Sequence, residues 1–355
     1  MGNSPLYSLV PSEADQEHPK RQAALIAGRT RLECRMRESP HSDGVTCLQA
    51  IRPGIIVTAG MDRSLVMSNY ETGEVIRRWT GHEREVTKLA YRRKAGLHHI
   101  FSASRDATVA MWDFKETTPV KLFTGHSLPV TGLTLVSDER ICSGSRDTAL
   151  RLWDIETGAV LRQNYPKKVT HMVYTKTLGL IAQTSEDKHL RLWDPESLEV
   201  AAIFPASGQI LTHCDISQDG LSIAAACNGY NGQGAQIYIY DVRERKVRAE
   251  LVGHEATVTA AVFLSQQITW KPLLLSVSLD KSARLWNHQE GRQVWCENVP
   301  LAGGLLSAAG FADGSLLATG QAGAILHARL EGRHGRSLIL PQTLYLKGLQ
   351  PDTQE

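Results

Sequence analysis

A chain of 355 residues with 42% hydrophobic and 21% charged positions has the composition of a globular protein with a sizeable core. Its formal net charge of +2 gives no overall drive toward nucleic acid, so any basic surface must be local. No apolar run approaches the roughly 20 residues that span a bilayer. The start lacks the basic and apolar pattern of a secretion leader. The cysteines (Cys34, Cys47, Cys142, Cys214, Cys227 and Cys296) form no C-x-x-C pair, which argues against zinc. A reducing, intracellular and cytoplasmic setting is expected.

Residues 1–28 show little periodicity and are expected to form a disordered or loosely docked arm. Its first residues, Met1-Gly-Asn-Ser-Pro-Leu6, offer Gly2 for N-myristoylation. Leu6 stands where Ser or Thr is usual, and the acidic Glu13, Asp15 and Glu17 supply no basic support. A weak lipid-anchored membrane association is the most this allows. From residue 29 the pattern changes, and Arg31–Met36 reads as a strand.

A phrase of turn, aspartate and alternating strand then recurs about every 40–47 residues. The aspartate and the residue six places on pair as Asp62 with Ser68, Asp106 with Trp112, Asp147 with Trp153, Asp187 with Trp193 and Asp280 with Trp286. A fifth unit keeps Tyr240-Asp241 but replaces the turn by Asn228–Gly234, expected to be loose and glycine-rich. A seventh, Thr319–Ala328, keeps only the strand rhythm. Alternating apolar residues over about 5–6 positions, separated by glycine turns, give four short antiparallel strands per unit. Such units cannot bury a core alone, but set radially they leave only short edges. The expected fold is therefore all-β, a seven-bladed β-propeller over 29–341 with a tail at 342–355. Arg31–Met36 is the preferred outer strand of the last blade, with Arg336–Pro341 as its rival.

Gly-His stands at 81–82, 125–126 and 253–254, each roughly 20 residues before a Ser-x-Ser-x-Asp turn and then Trp-Asp or Trp-Asn. These residues resemble the WD40-repeat family over roughly 30–330. The resemblance implies a blade-internal chain of hydrogen bonds from tryptophan to serine, histidine and aspartate. The sets would be His82, Ser102, Asp106 and Trp112; His126, Ser143, Asp147 and Trp153; and His254, Ser276, Asp280 and Trp286. The serine could instead be Ser104, Ser145 or Ser278. A histidine, serine and aspartate also suggest a nucleophilic triad. An active site is built once, however, and this set occurs three times, so it reads as scaffolding and no enzyme is expected. The first unit offers His41, Thr58 and Asp62. The fourth puts Tyr165 where histidine belongs, beside Asp187 and Trp193.

No phosphate-cradling loop or metal-spaced histidine pair is present, so no cofactor and no metal are expected. The resemblance implies a non-catalytic scaffold that binds other proteins or peptides, as a monomer within a larger complex, with trafficking or ciliary assemblies as possible homes. The residues before each turn aspartate would sit on one rim: Met61, Arg105, Arg146, Glu186 and Leu279. Arg105 and Arg146 form a candidate basic patch for a carboxylate or phosphate. Tyr230 and Trp270 are candidate aromatic anchors on irregular segments. Tyr240-Asp-Val-Arg243 and Trp112-Asp-Phe-Lys115 are similar to the signature of substrate receptors for cullin-RING ubiquitin ligases, with Arg243 facing the adaptor.

Overall fold

The structure, a computed structural model, describes residues 39–265, 272–299, 302–311, 313–333 and 336–343. Every regular element among them is a strand. The strands form seven four-stranded antiparallel sheets, each taking its strands in chain order. The blades span 45–79, 86–123, 130–164, 169–203, 211–251, 258–298 and 305–343. The first strands of successive blades touch one another around a ring, and the first strand of blade 7 returns to that of blade 1. The architecture is a seven-bladed β-propeller.

Burial explains why the signal was strongest around the Asp-to-Trp phrase. The second strands are covered on both faces by neighbouring blades: Ser222–Cys227 and Leu273–Ser278 are buried at every position. The outer strand Val160–Asn164 is mostly exposed. The apolar core is divided into clusters that each straddle one blade boundary. Leu65 and Trp79 of blade 1 meet Ile100 and Trp112 of blade 2, and Phe101 and Phe123 of blade 2 meet Trp153 of blade 3. A blade alone would leave both faces wet, so the ring is the cooperative unit.

Inner strands of neighbouring blades share no backbone ladder, and side chains join them instead. Each inner strand carries a β-bulge at the same place, skipping Thr46, Thr87, Thr131, Thr170, Thr212, Thr259 or Leu306 in the pairing. A bulge leaves one residue outside the ladder and re-aims its side chain. Thr46, Thr87, Thr131, Thr212 and Thr259 use that freedom to donate their hydroxyls to carbonyls of the next blade: Val86 (2.5 Å), Val130 (2.5 Å), Val169 (2.5 Å), Val258 (2.5 Å) and Leu305 (2.8 Å). Thr170 instead donates within its own blade, to Thr184 at 2.9 Å.

The boundary between blades 7 and 1 has no such hydroxyl, because Leu306 stands at the bulge. Its apolar cluster (Leu48, Ile56, Tyr70, Phe311 and Leu317) is also the smallest among the described residues. The Ser39 hydroxyl donates to the Gly323 carbonyl at 2.6 Å across this seam. The outer strand of the last blade is Arg336–Thr343, paired along the third strand Ile325–Arg333. That is the rival segment of the sequence reading, and it runs past residue 341. The preferred segment, Arg31–Met36, lies outside the described residues, as does the arm at 1–28. With Arg336–Thr343 in place, blade 7 completes its sheet from its own unit, like the other six.

Candidate interaction face

Blades 2, 3 and 6 share one polar constellation. Trp112 Nε1 donates to Ser102 Oγ at 2.7 Å, Ser102 Oγ lies 2.7 Å from His82 Nε2, and His82 Nδ1 lies 2.7 Å from Asp106 Oδ2. In blade 3 the corresponding links from Trp153 through Ser143 and His126 to Asp147 are 2.8, 2.8 and 2.9 Å. In blade 6 the chain from Trp286 through Ser276 and His254 to Asp280 runs at 2.8 Å throughout. Every group is used in one direction: indole N–H to serine, serine O–H to Nε2, Nδ1–H to carboxylate. The alternative serines serve the turn: Ser104 Oγ donates to the Arg84 carbonyl and accepts from Asp106 N.

The chain ties the Gly-His loop to the Asp turn, so it fixes two loops on one rim. Burial alone would raise the Asp106 carboxyl. Hydrogen bonds from His82 and Thr108 outweigh it and hold the group below the usual carboxylate range. Burial keeps the His126 and His254 imidazoles below their ordinary value, consistent with the neutral tautomer the bonding requires. Ser102, Ser143 and Ser276 are 0% exposed and already accept an indole proton, so none can attack a substrate. The glycine before each histidine lies against the same indole. A Cβ on Gly81 or Gly253 would stand 3.3 or 3.1 Å from the Trp112 or Trp286 ring.

The other blades substitute. In blade 1, His41 bridges Asp62 (3.0 Å) and Thr58 (2.9 Å), and no indole joins them. In blade 4, Trp193 Nε1 donates to Gln183 Oε1 at 3.1 Å, while Asp187 is gripped by Arg191 at 3.0 and 2.5 Å. Asp187 and Trp193 are therefore not links of one chain, and Tyr165 is 62% exposed rather than taking the histidine's place. Trp79, which the repeat pattern did not single out, is buried at the boundary of blades 1 and 2 and donates to the Asp113 carbonyl at 2.8 Å.

The residue after each turn aspartate adopts positive φ: Arg63 (65°), Ala107 (68°), Thr148 (67°), Lys188 (70°) and Lys281 (67°). This left-handed residue closes the turn and leaves the residue before the aspartate on the rim. Blades 1 to 3 thereby build a cavity of about 640 Å³ that opens at this face. Arg63, Arg84, Arg105 and Arg146 line it, against Asp43 and Glu85. The two arginines singled out in the sequence are thus brought together, and two more join them. Arg84 sits in the Gly-His loop and Arg63 in the positive-φ position, signals that were present in the repeat alignment. Arg105 Nε is 3.8 Å from Glu85, a loose pair in which both side chains are well exposed. Arg146 is engaged with Glu186 at 2.7 Å, and Lys168 meets the same carboxylate at 3.4 Å. Glu186 is therefore a clamp on Arg146 rather than a separate contact point. Neither Arg63 nor Arg84 has an ion pair among the described residues.

The remaining candidates fall elsewhere. Tyr230 is 78% exposed. Its turn is not loose: Gly232 N donates to the Glu255 carbonyl at 2.7 Å, and Gly229 N donates to Thr257 Oγ1 at 3.3 Å. The glycine is required, since a Cβ on Gly229 would meet Ala235 N at 2.4 Å. Trp270 lies outside the described residues. Arg243 is exposed on the turn after the third strand of blade 5, where Asp241 Oδ1 accepts from Arg243 N (2.9 Å) and Glu244 N (2.8 Å). Asp113 caps its turn in the same way through Lys115 N (2.9 Å) and Glu116 N (2.7 Å), and Asn287 through Gln289 N (3.1 Å). The aspartate of Trp-Asp is thus an Asx-turn residue. Among the described residues no group of three histidine, cysteine or acidic side chains could hold a metal, and no helix is long and apolar enough to cross a membrane.

The family model "WD domain, G-beta repeat" matches residues 73–113, 117–154 and 245–287, the three segments that hold the complete hydrogen-bonded sets. The chain carries WD40 repeats and folds as a WD40 β-propeller, a class whose members generally act as protein-interaction scaffolds and are typically non-catalytic. It is similar to human WD repeat-containing protein 37 (25% identity; 52% of this chain, 42% of that one). It is also similar to mouse pre-mRNA-processing factor 19 (29% identity; 59% of this chain, 32% of that one) and to nuclear distribution protein nudF of Aspergillus niger (24%; 71% and 60%). The chain thus spans less than two thirds of the length of each. Among solved structures, the WD40 β-propeller domain of Doa1 matches with a TM-score of 0.68 at 18% identity, over 82% of this chain and 95% of that one, a likeness of fold.

Proposed function

We propose that this propeller is an interaction scaffold whose rim over blades 1 to 3 captures an acidic segment of a partner protein. The observation that carries it is the arginine-lined cavity. Arg63, Arg84, Arg105 and Arg146 converge on one space of about 640 Å³ with too few carboxylates to balance them. Guanidinium groups bind carboxylate and phosphate through paired N–H donors, so aspartate, glutamate or a phosphorylated side chain fits the site. The turns beneath are held by the buried histidine–aspartate sets, so the backbone that carries the arginines needs little ordering when they bind. Cytoplasmic action within a trafficking or ciliary complex belongs to the same proposal and follows the partner.

Affinity purification of the full chain against a triple variant, Arg63→Glu, Arg84→Glu and Arg105→Glu, tests the reading. Loss of specific partners supports it, and an unchanged partner set overturns it. The ligase-receptor alternative would place its contact at Arg243 on the opposite face. In that case Arg243→Ala, not the triple variant, would remove the partners.

A further inference from the structure

The residue after Trp-Asp, or after its variants, closes each blade on the face opposite the arginine rim. It is Tyr70, Phe114, Ile155, Pro195 and Val242 in blades 1 to 5, and His288 in blade 6. In blades 1, 3, 5 and 6 its backbone N–H donates to the segment between the first two strands, at Gly54 (3.0 Å), Glu139 (2.8 Å), Leu221 (3.0 Å) and Pro272 (3.1 Å). An imidazole thus stands where the earlier blades place an apolar or aromatic side chain, and it is 7% exposed. Beside it, between blades 5 and 6, lies a cavity of about 70 Å³, several times the space one water needs. Asp219 and Arg248 of blade 5 line it, with Phe263, Pro272, His288 and Gln289 of blade 6. We propose that this cavity binds a carboxylate group, with Arg248 and the His288 Nε2–H as its donors and Asp219 limiting the charge it accepts.

The His288 ring is held edge-on to Phe263, with centroids 4.9 Å apart and an interplanar angle of 80°. Burial, with the Arg248 charge nearby, pushes the imidazole down to about 4, so the ring is neutral. Its Nδ1 is enclosed and has no partner. An enclosed N–H without an acceptor is rarer than an enclosed lone pair, so the proton sits on Nε2, the ring's donor toward the cavity. No acceptor among the described residues takes that proton. The Arg248 guanidinium likewise has no ion pair or hydrogen bond among them, whereas Lys246 on the same strand meets Glu244 at 2.5 Å. Asp219 is the one carboxylate lining the cavity, and its Oδ1 is taken by Ser217 Oγ at 2.5 Å and Leu221 N at 2.9 Å. It does not pair with Arg248. Unused N–H donors thus outnumber acceptors in a space that fits one small group, and a carboxylate offers acceptors alone. Asp219 offsets the one guanidinium, so a phosphate dianion meets no excess positive charge. The carboxylate has two possible sources: a small free ion, or the terminal carboxylate of a peptide.

The test is a titration of the full chain, labelled with ¹⁵N-histidine, with acetate and with N-acetylglycine at constant ionic strength, chloride being the reference. The His288 signal is assigned with His288→Asn. Both probes are expected to shift it saturably. Arg248→Met should weaken the apparent affinity about tenfold or more, the scale of one charged hydrogen bond. It should leave the melting temperature of the free chain unchanged, since the guanidinium bonds nothing there. Arg84→Glu, on the opposite rim, should retain the binding. Phosphate should move the His288 signal only in Asp219→Asn. A tighter response to N-acetylglycine identifies a peptide terminus as the source, and equal responses identify the free ion. No saturable shift with either probe overturns the proposal, as does a shift that survives intact in Arg248→Met. Phosphate binding as well as acetate in the unaltered chain also overturns it.

Discussion

Thr87 Oγ1 donates to the Val130 carbonyl at 2.5 Å, across a boundary where the two inner strands share no backbone ladder. The same dipeptide relationship recurs at Thr46 with Val86, Thr131 with Val169 and Thr212 with Val258. These bonds stitch the inner ring. Thr87→Val keeps the shape and β-propensity but removes the donor, so it should cost about 1 kcal/mol of stability. Equilibrium urea unfolding would check this, and a change within error would mean the carbonyl is satisfied without the hydroxyl.

The buried carboxylates set the acid limb of stability. Hydrogen bonds hold Asp62 down at about 2 against an ordinary 3.8, and they hold Asp106 and Asp280 below the usual range as well. The unfolded chain therefore binds more protons than the folded one in this window. The stabilisation is complete above about pH 4 and is lost as pH falls toward 2 and below. Asp106→Asn should cost about 1–3 kcal/mol at neutral pH, because both carboxylate oxygens accept, one from His82 Nδ1 and Glu83 N and the other from Thr108, and an amide NH2 in place of either leaves donors unpaired; it should also shrink the loss on acidification. Thermal melts of both proteins from pH 7 to 2 make the comparison.

Asp215 works in the opposite sense. Burial pushes its carboxyl up to about 7, despite the hydrogen bond from Phe263 N. Here the folded chain binds the extra proton, so stability falls as pH rises from about 4 to about 7 and is flat beyond. Asp215→Asn retains an acceptor for Phe263 N without the charge. It should raise the melting temperature at pH 8 and leave it nearly unchanged at pH 4. Equal effects at both values would show that the carboxyl is not desolvated.

Thr148 holds a φ of 67°, left-handed backbone that a β-branched residue adopts at a cost. Thr148→Gly relieves that strain but gives the unfolded chain more freedom, so the net gain is about 0.5–1 kcal/mol. A chemical-denaturation midpoint that falls instead would show that the threonine side chain stabilises the turn by more than the strain costs.

The blades were legible because Asp and Trp mark a hairpin that is buried on both faces, where selection of residue type is tight. Ring closure was not. Arg31–Met36 and Arg336–Pro341 alternate equally well, and an outer strand is defined by what it pairs with rather than by its composition. Blade 4 misled for a related reason. Asp187 and Trp193 keep the spacing, but Gln183 and Arg191 supply their partners, and a long side chain four residues along is invisible to a motif built on histidine. The Val-Thr step at 45–46, 86–87, 130–131, 169–170 and 258–259 was visible as a repeat, yet its meaning depends on a bulge that sequence does not mark. At the rim, Arg105 and Arg146 stood out. The Glu186 clamp and the contributions of Arg63 and Arg84 required the blades to be set side by side.

Hydrogen–deuterium exchange of the full chain bound to a partner recovered from cells tests the account's core. Slowed exchange at the cavity-lining segments 61–63, 84–87, 105, 129–131 and 146, with the turn at 241–245 unchanged, is the result the arginine rim requires. Protection confined to 241–245 and the other turns of the opposite face would contradict it.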